Sequence, residues 1–507
     1  MKAKVLGILV LLVVLCLFMA ITSSDPWYKL TSGTFLQPNN VENLLRRTSL
    51  YGILGIGVAF VIITGGIDLS VGSVVCLSGC LLAILLDVSY QPFDNQTVLE
   101  VRAEKQQIVV EGYAPGFNEG DHIRYFGGRR ARPTVARIAR IKRADGVTLL
   151  QVDKPLTRDD DDGQIAKVLD VVSFRQSDMT TTPMIAAAVT LRGRHSHLSR
   201  RDQVMLIHPE SGLNQQVIES VEVGQQETLL TFDRDLGSNF TDQWVAVPLQ
   251  RRQRMPIPLA LGTVLAIALG LGLLHGLLVT RMKLQPFVVT LCGLLFYRGI
   301  SRWLVNDQPV GFGNEYVNTL SPLGRGKLVL LQWEDAGHIE SFGLPYPFFI
   351  LLLSALAAGI FLNKTIWGRY LLALGRNEEA ARYSGINTGR ITLLAYIIST
   401  VLAATGGILF ALDSNQVPPS SFGNFFELYA IAAAVLGGCS LRGGEGAIVG
   451  VVIGTAVMQV LNNMIVLLRI SDELEYAIIG IVILLGVLAD ELIKRIAAQR
   501  RAKSQAN

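Results

Sequence analysis

Uncharged, apolar runs recur along the chain at Val5–Thr22, Leu50–Thr64, Leu69–Leu86, Ile257–Thr280, Pro286–Ile300, Tyr346–Leu362, Ile391–Leu412, Tyr429–Gly438, Ala447–Leu468 and Tyr476–Leu488. A hydrocarbon core of roughly 30 Å is crossed by about 20 apolar residues in a helix. Against that length Pro286–Ile300 and Tyr429–Gly438 are short, and they read as partial or tilted helices. Inside lipid a backbone must satisfy its own polar groups, which leaves helices as the available open structure. The pattern predicts an all-α polytopic membrane bundle of about ten transmembrane helices.

Between Leu86 and Ile257 the pattern changes. The stretch from Gln91 to Met255 is dense in Arg, Asp, Glu and Gln, with short alternating runs separated by Gly, Asp and Asn turns, which reads as strands. Two parts of it repeat. Ile108–Gly112, Glu119–Ile123, Val135–Ile141 and Thr148–Leu156 are followed in the same order by Val189–Gly193, Arg201–Val204, Gln216–Val221 and Thr228–Leu236. Gly112 to Asp121 spans nine residues, as does Gly193 to Asp202, and Asp121 to Asp153 spans 32 against 31 from Asp202 to Asp233. Such spacing implies duplication, so the insert is expected to be all-β, made of two similar small barrels or sandwiches of about 70–80 residues each.

Composition and charge add the orientation. Half of the 507 residues are apolar and 17% are charged, below the roughly 25% usual for soluble proteins. A net charge of +4 on a largely lipid-facing chain excludes a nucleic-acid binder. Lys and Arg cluster at Lys2 and Lys4, at Arg281 and Lys283, at Lys364, Arg369, Arg376, Arg382 and Arg390, and from Lys494 to Lys503. With about ten spans and a cytoplasmic N-terminus, all four clusters fall on the cytoplasmic side, and the insert falls outside. Arg46 and Arg47 break the pattern and are expected on an interfacial helix. The first run reads as an uncleaved span rather than a signal peptide.

Little metal or redox chemistry is visible. Cys16, Cys76, Cys80, Cys292 and Cys439 all lie in apolar segments, without disulfide or zinc spacing. Asp159–Asp162 reads as an acidic turn, His195, His197 and His208 as ordinary surface residues, and the basic run from Arg129 to Arg143 as a solvated strand face.

Three local patterns carry more. Thr64-Gly65-Gly66-Ile67-Asp68-Leu69-Ser70-Val71-Gly72-Ser73 lies between two apolar runs. Paired glycines allow a reversal there, and Asp68 is expected to cap the next helix. Gly446, Gly450 and Gly454 form a small-residue stripe that lets helices pack closely. In the charged loop 364–390, Asn377 can cap a short helix that has Glu378 and Glu379 in its first turn, Ala380 and Ala381 within, Arg382 at its end and Gly385 beyond. That helix suits docking by a soluble partner. The chain has no Gly-x-x-x-x-Gly-Lys-Ser/Thr loop, since Gly324-Arg325-Gly326-Lys327 lacks both spacing and hydroxyl. Any ATP hydrolysis then belongs to another polypeptide, and no directly bound cofactor is expected.

The blocks Phe60–Ser73, Gln285–Thr290, Ala373–Asn387 and Glu427–Gly444 together resemble the ribose/xylose/galactoside-type permeases of bacterial ABC importers, over about two-thirds of the chain. The resemblance implies a permease dimer on two cytoplasmic ATP-binding subunits, made with a second copy or a paralogue and fed by a periplasmic sugar-binding protein. It implies that Gly375 and Asn377–Gly385 form the coupling loop, with Ala381 on the small face that enters an ATPase groove. It also places Thr64, Gly65, Gly66, Asp68, Ser70 and Gly72 near the translocation path. Tyr429 stands where many relatives have Asp, and the insert is outside the usual family pattern. The organisation so expected is 1–90 with spans one to three, 91–172 and 173–255 as the β-repeats, 256–495 with spans four to ten and the coupling loop, and 496–507 as a basic tail. An ion-coupled secondary transporter, or a membrane-anchored scaffold acting through the insert, are the alternatives. The first asks for paired ionisable residues within spans, which are nearly free of them.

Overall fold

The computed structural model describes residues 2–23, 33–93, 95–114, 116–126, 134–144, 146–153, 164–177, 186–208, 212–232, 245–335 and 338–471, with 474, 477, 478, 480, 481, 484 and 488. The chain divides into Met1–Asp87 with Met255–Asn507 as one unit, and Val88–Arg254 as the other.

The first unit is helical: α1 (Lys2–Thr22), α2 (Pro38–Ile63), α3 (Val71–Leu85), α4 (Ile257–Thr280), α5 (Pro286–Leu304), α6 (Pro322–Arg325), α7 (Tyr346–Lys364), α8 (Ile366–Arg376), α9 (Glu378–Tyr383), α10 (Thr388–Ser414), α11 (Phe426–Leu436) and α12 (Ile448–Leu467). Among the described residues seven of these (α1, α2, α4, α5, α7, α10 and α12) are long and apolar enough to cross a membrane, while α3 and α11 are shorter apolar helices. Most of the run Tyr476–Leu488 lies outside the described residues.

The centre of the bundle is α2, buried almost continuously from Thr48 to Ile63. A helix apolar on every side is stable only when other helices surround it, and α10, α11, α12 and α7 do so. Small residues set the closest approaches. Gly450 and Gly454 of α12 lie on the backbone of Gly437 and Ala433, and Gly446 lies on the Ile63 side chain.

Arg46 and Arg47 are not on a separate interfacial helix. The helix starts at Pro38, a favoured first helical residue, and carries both arginines into the span. This is possible because the polar turns find partners. The Arg46 guanidinium lies 3.8 Å from Asp413 and donates to the Arg325 carbonyl at 3.0 Å. The buried Glu42 carboxylate accepts from Lys327 Nζ at 2.8 Å and from the Gly343 amide at 2.7 Å. Lys327 and Gly343 belong to a hairpin, Lys327–Asp335 with His338–Pro345, inside a segment that carries no apolar run.

The second unit is all-β, with β1 (Val88–Pro92), β2 (Asn95–Arg102), β3 (Gln107–Glu111), β4 (His122–Phe126), β5 (Thr134–Ala144), β6 (Val147–Val152), β7 (Gln164–Arg175), β8 (Ala187–Arg192), β9 (Gln203–His208), β10 (Gly212–Val223), β11 (Glu227–Phe232) and β12 (Val245–Gln253). The pairing runs β7-β2-β3-β6-β5-β4 and returns to β7, and again β7-β8-β11-β10-β9-β12 and back to β7. Closure leaves no open edge in either ring. The division at residue 172 falls inside β7, whose first half pairs in one ring and second half in the other. One ring encloses Val98, Ile108, Ile123, Ile138 and Leu150, the other Val189, Leu206, Ile218, Leu230 and Phe232.

Equivalent bonds recur in both rings. Thr148 Oγ1 donates to the Gly112 carbonyl and Thr228 Oγ1 to the Gly193 carbonyl, both at 2.8 Å. The Asp121 carboxylate accepts from the Asn118 amide at 2.8 Å, and that of Asp202 from the Ser199 amide at 2.9 Å. Of the basic run, Arg129–Arg132 lies outside the described residues. Arg143 is a brace, donating to the carbonyls of Tyr113, Ala114 and Phe117 at 3.1, 3.3 and 2.8 Å. Strands β1 and β12 pair from Val88↔Gln253 to Pro92↔Leu249, which brings the two ends of this unit together.

Residues 88–254 expressed alone are expected to give a β-type circular-dichroism spectrum and one cooperative unfolding transition. Thr148→Val or Thr228→Val removes a bond to a half-buried glycine carbonyl, which costs about 1 kcal/mol and lowers Tm by roughly 2–4 °C per kcal/mol. A helical spectrum, or no Tm change in either variant, contradicts this.

Candidate functional site

The turn between α2 and α3 breaks the helical backbone inside the bundle. Thr64 ends α2, with its hydroxyl on the Val61 carbonyl at 2.7 Å, and Gly65 takes φ +84°, a conformation that suits glycine. Asp68 is fully buried. It does not cap α3: the residue before α3 is Ser70, which makes no side-chain cap bond. Leu69 and Ser70 still intervene before α3 begins, so Asp68 lies short of the helix and closes a side-chain turn instead. Its Oδ1 accepts from the Ser70 amide at 3.0 Å and the Ser70 hydroxyl at 2.6 Å, and its Oδ2 accepts from Ser399 Oγ of α10 at 2.8 Å. Thr290 of α5 donates to the Ile67 carbonyl at 3.1 Å. Gly72 has no room for a Cβ beside the Gly423 carbonyl and the Glu427 carboxylate.

Several polar residues around this turn carried no motif. Tyr396 and Ser399 sit three apart in α10, so they share a face. The Tyr396 hydroxyl lies 2.9 Å from where a Gly66 Cβ would be. The His275 ring of α4 stands edge-on to Tyr396, with 6.2 Å between centroids, and its Nε2 is 2.8 Å from the Tyr297 hydroxyl of α5. Tyr396 and His275 are both buried, and the Tyr396 hydroxyl and His275 Nδ1 have no hydrogen-bond partner among the described residues. Arg298 of α5 donates to the Pro419 carbonyl at 3.2 Å and to that of Phe422, while Glu427 is buried in the first turn of α11. The only available signal was a single ionisable residue in an otherwise apolar run, a functional candidate by default. Tyr429 joins an aromatic cluster, 5.4 Å from Tyr51, which also meets Phe410 and Phe426.

The loop helix α9 is built as its residues direct. Asn377 Oδ1 accepts from the Ala380 amide at 2.9 Å, Glu378 and Glu379 fill the first turn, and Arg382 the last. Gly385 turns the chain at φ +80°, and Asn387 Oδ1 caps α10 on the Arg390 amide at 3.1 Å. The expectation for Ala381 is corrected. It is 4% exposed and packs inward, because a six-residue helix between α8 and α10 must bury one side on its own chain. The outward side carries Glu378, Glu379, Ala380 and Arg382, with Tyr383 at 84% exposure.

The two motifs meet in space. Gly375, at the end of α8, has no room for a Cβ beside the Ile63 carbonyl and the Gly444 amide. The Gly444 amide also donates to the Ile63 carbonyl at 2.9 Å. The last turn of α8 is therefore pressed, backbone on backbone, against the residue that opens the Thr64–Ser73 turn.

The chain belongs to the family described as the permease component of the branched-chain amino acid transport system, which matches residues 40–93 and 237–487. The intervening residues, most of the β unit, lie outside that match. The ribose import permease of Escherichia coli (strain K12) is 36% identical over 231 residues, 46% of this chain and 68% of the relative. The galactose/methyl galactoside import permease of the same strain is 33% identical over 242 residues, covering 47% and 68%. Its L-arabinose transport system permease is 33% identical over 218 residues, covering 43% and 61%. No solved structure matches. The family match and the apolar helices together define a multi-pass membrane permease.

Gly375→Ala places a methyl group against two backbones that have no freedom to retreat. Assembled protein in the membrane is expected to fall steeply, whereas Ala380→Ser, which adds one heavy atom at an exposed position, leaves it unaltered. Comparing detergent-extracted, monodisperse protein for the two variants checks this.

Proposed function

We propose that the chain is the permease subunit of an ATP-driven importer for a monosaccharide or a similar small polar solute, in a bacterial inner membrane. The family match across both membrane segments is the observation that carries this reading, with sugar permeases among its relatives. Two cytoplasmic ATP-binding subunits hydrolyse the ATP, the chain itself binding no cofactor, and a second permease copy or a paralogue completes the pair. A periplasmic sugar-binding protein delivers the solute. Tyr476–Leu488 supplies a tenth span, and the β unit, two similar six-stranded barrels, stands outside the cytoplasm.

Docking on the ATPase falls to the outward side of α9. A large aromatic side chain 84% exposed on a short capped helix suits the anchoring role that Tyr takes in interfaces. A movement of α9 then reaches the bundle on two sides, through Gly375 on the Ile63 backbone and through Asn387 at the start of α10.

An ion-coupled transporter is the second reading, favoured by the buried Asp68, His275 and Glu427. Vesicles loaded with ATP but without any ion gradient separate the two, since uptake there requires the importer.

Tyr383→Ala is expected to weaken ATPase docking by roughly 2 kcal/mol, about thirtyfold in affinity, with normal insertion. Ala381→Glu instead lowers the amount of folded protein. If Tyr383→Ala keeps full ATP-dependent uptake, α9 is not the docking element. For the β unit, a cysteine at exposed Gln225 is expected to react with a membrane-impermeant thiol reagent on intact cells; labelling only after lysis contradicts the placement.

A further inference from the structure

Resting on the importer reading, the inference concerns how movement of α9 is held and released within the bundle. The Thr64–Ser73 turn is attached to two elements on opposite sides of α9. On one side the end of α8 is clamped onto Ile63 and Gly444 by backbone contact. On the other, α10 begins at Thr388, and its side-chain bond to the turn is Ser399 Oγ to Asp68 Oδ2 at 2.8 Å. A push on α9 that reaches α10 bears on that bond as well as on the close backbone contacts of α10 with Gly57 and Gly272. Three residues before Ser399 on the same face, the Tyr396 hydroxyl lies beside Gly66, and next to it stands His275; among the described residues neither that hydroxyl nor His275 Nδ1 has a hydrogen-bond partner. Buried polar groups in native folds are almost always paired, and a group left unpaired in one state is a ready partner in another.

We propose that Asp68 is a positioning residue of the transport cycle, holding α10 to the turn through Ser399 in this conformation and through the Tyr396 hydroxyl in a second one. Exchange of one hydroxyl for the other is a side-chain event, since the α10 backbone is held at Ser399 against Gly57 and at Tyr396 against Gly272. Oδ1 meanwhile stays on Ser70, so the carboxylate is never left without hydrogen bonds. His275, tied to Tyr297, borders the Tyr396 ring and limits its travel. The device is two discrete hydrogen-bond partners for one carboxylate, rather than a continuous deformation.

Two variants of the full chain, assembled in vesicles with its ATP-binding subunits and sugar-binding protein and given labelled ribose as the probe solute, test this. Tyr396→Phe removes a hydroxyl that is unused here, so Tm of the purified chain is expected to stay the same or rise. The maximal uptake rate is expected to fall about five- to tenfold, the worth of one hydrogen bond, with the half-saturating solute concentration unchanged. Ser399→Ala removes the bond in use, so Tm falls and ATP hydrolysis without solute rises. A Tm loss in Tyr396→Phe shows that its hydroxyl is already engaged and overturns the proposal. Unchanged uptake by Tyr396→Phe overturns it as well, as does a parallel loss of Tm and rate in both variants. Uptake by the unaltered chain that persists without ATP overturns the importer reading instead. The Tm comparison, which needs no transport, then still decides whether Tyr396 is free.

Discussion

Every break in a helix inside lipid exposes backbone groups that no water can reach, and the α2–α3 turn is the break on which this bundle is organised. Asp68 takes the Ser70 amide and the Ser399 hydroxyl, Thr290 takes the Ile67 carbonyl, and the Gly444 amide takes that of Ile63. Ser399, Thr290 and Gly444 come from three different parts of the chain. Satisfying one short turn therefore fixes the relative positions of α2, α5, α10 and the Gly443–Gly444 loop. Desolvation makes the arrangement strict, since a buried polar group without a partner costs on the order of several kcal/mol.

The same strictness makes the region suited to transmitting movement. Backbone is pressed on backbone at Gly375 and again where α10 meets Gly57 and Gly272, and the Ser399 hydroxyl adds a side-chain bond to Asp68. The end of α8 and the start of α10 thus both tie α9 to the bundle. At the other end of α2 the pair of buried Glu42 with Lys327 and the Arg46–Asp413 contact add to the hydrogen bonds made with the Gly343 amide and the Arg325 carbonyl. Pairs of this kind contribute little net stability but are costly to break singly.

The β unit meets a different constraint. In water an isolated sheet exposes two edges, and each ring here removes them by closing through β7. Pairing of β1 with β12 brings its two ends together, so a folded domain can leave one helix and return at the next without stretching either. That is a physical reason why such an insertion is tolerated between two spans of a permease fold.

Periodicity and composition were enough for the classes of element, because lipid burial and strand alternation both leave marks within a few residues of chain. The apolar runs, the polar β insert with its duplicated spacing, the capped helix at Asn377–Arg382 and the glycine turn were all legible in this way. Boundaries were not: α2 begins at Pro38, well before its apolar run, because Glu42 and Arg46 find partners that lie far along the chain. Nor could local pattern say which side of α9 faces inward, or that Asp68 would serve Ser399 rather than a helix end. His275, Tyr297, Tyr396 and Ser399 come from three helices, each of which reads alone as lipid-facing with a stray polar residue. Sequence by itself determined what each segment is. Tertiary structure alone decided which polar atoms meet, because those pairings depend on helix rotation and depth, which no single helix specifies.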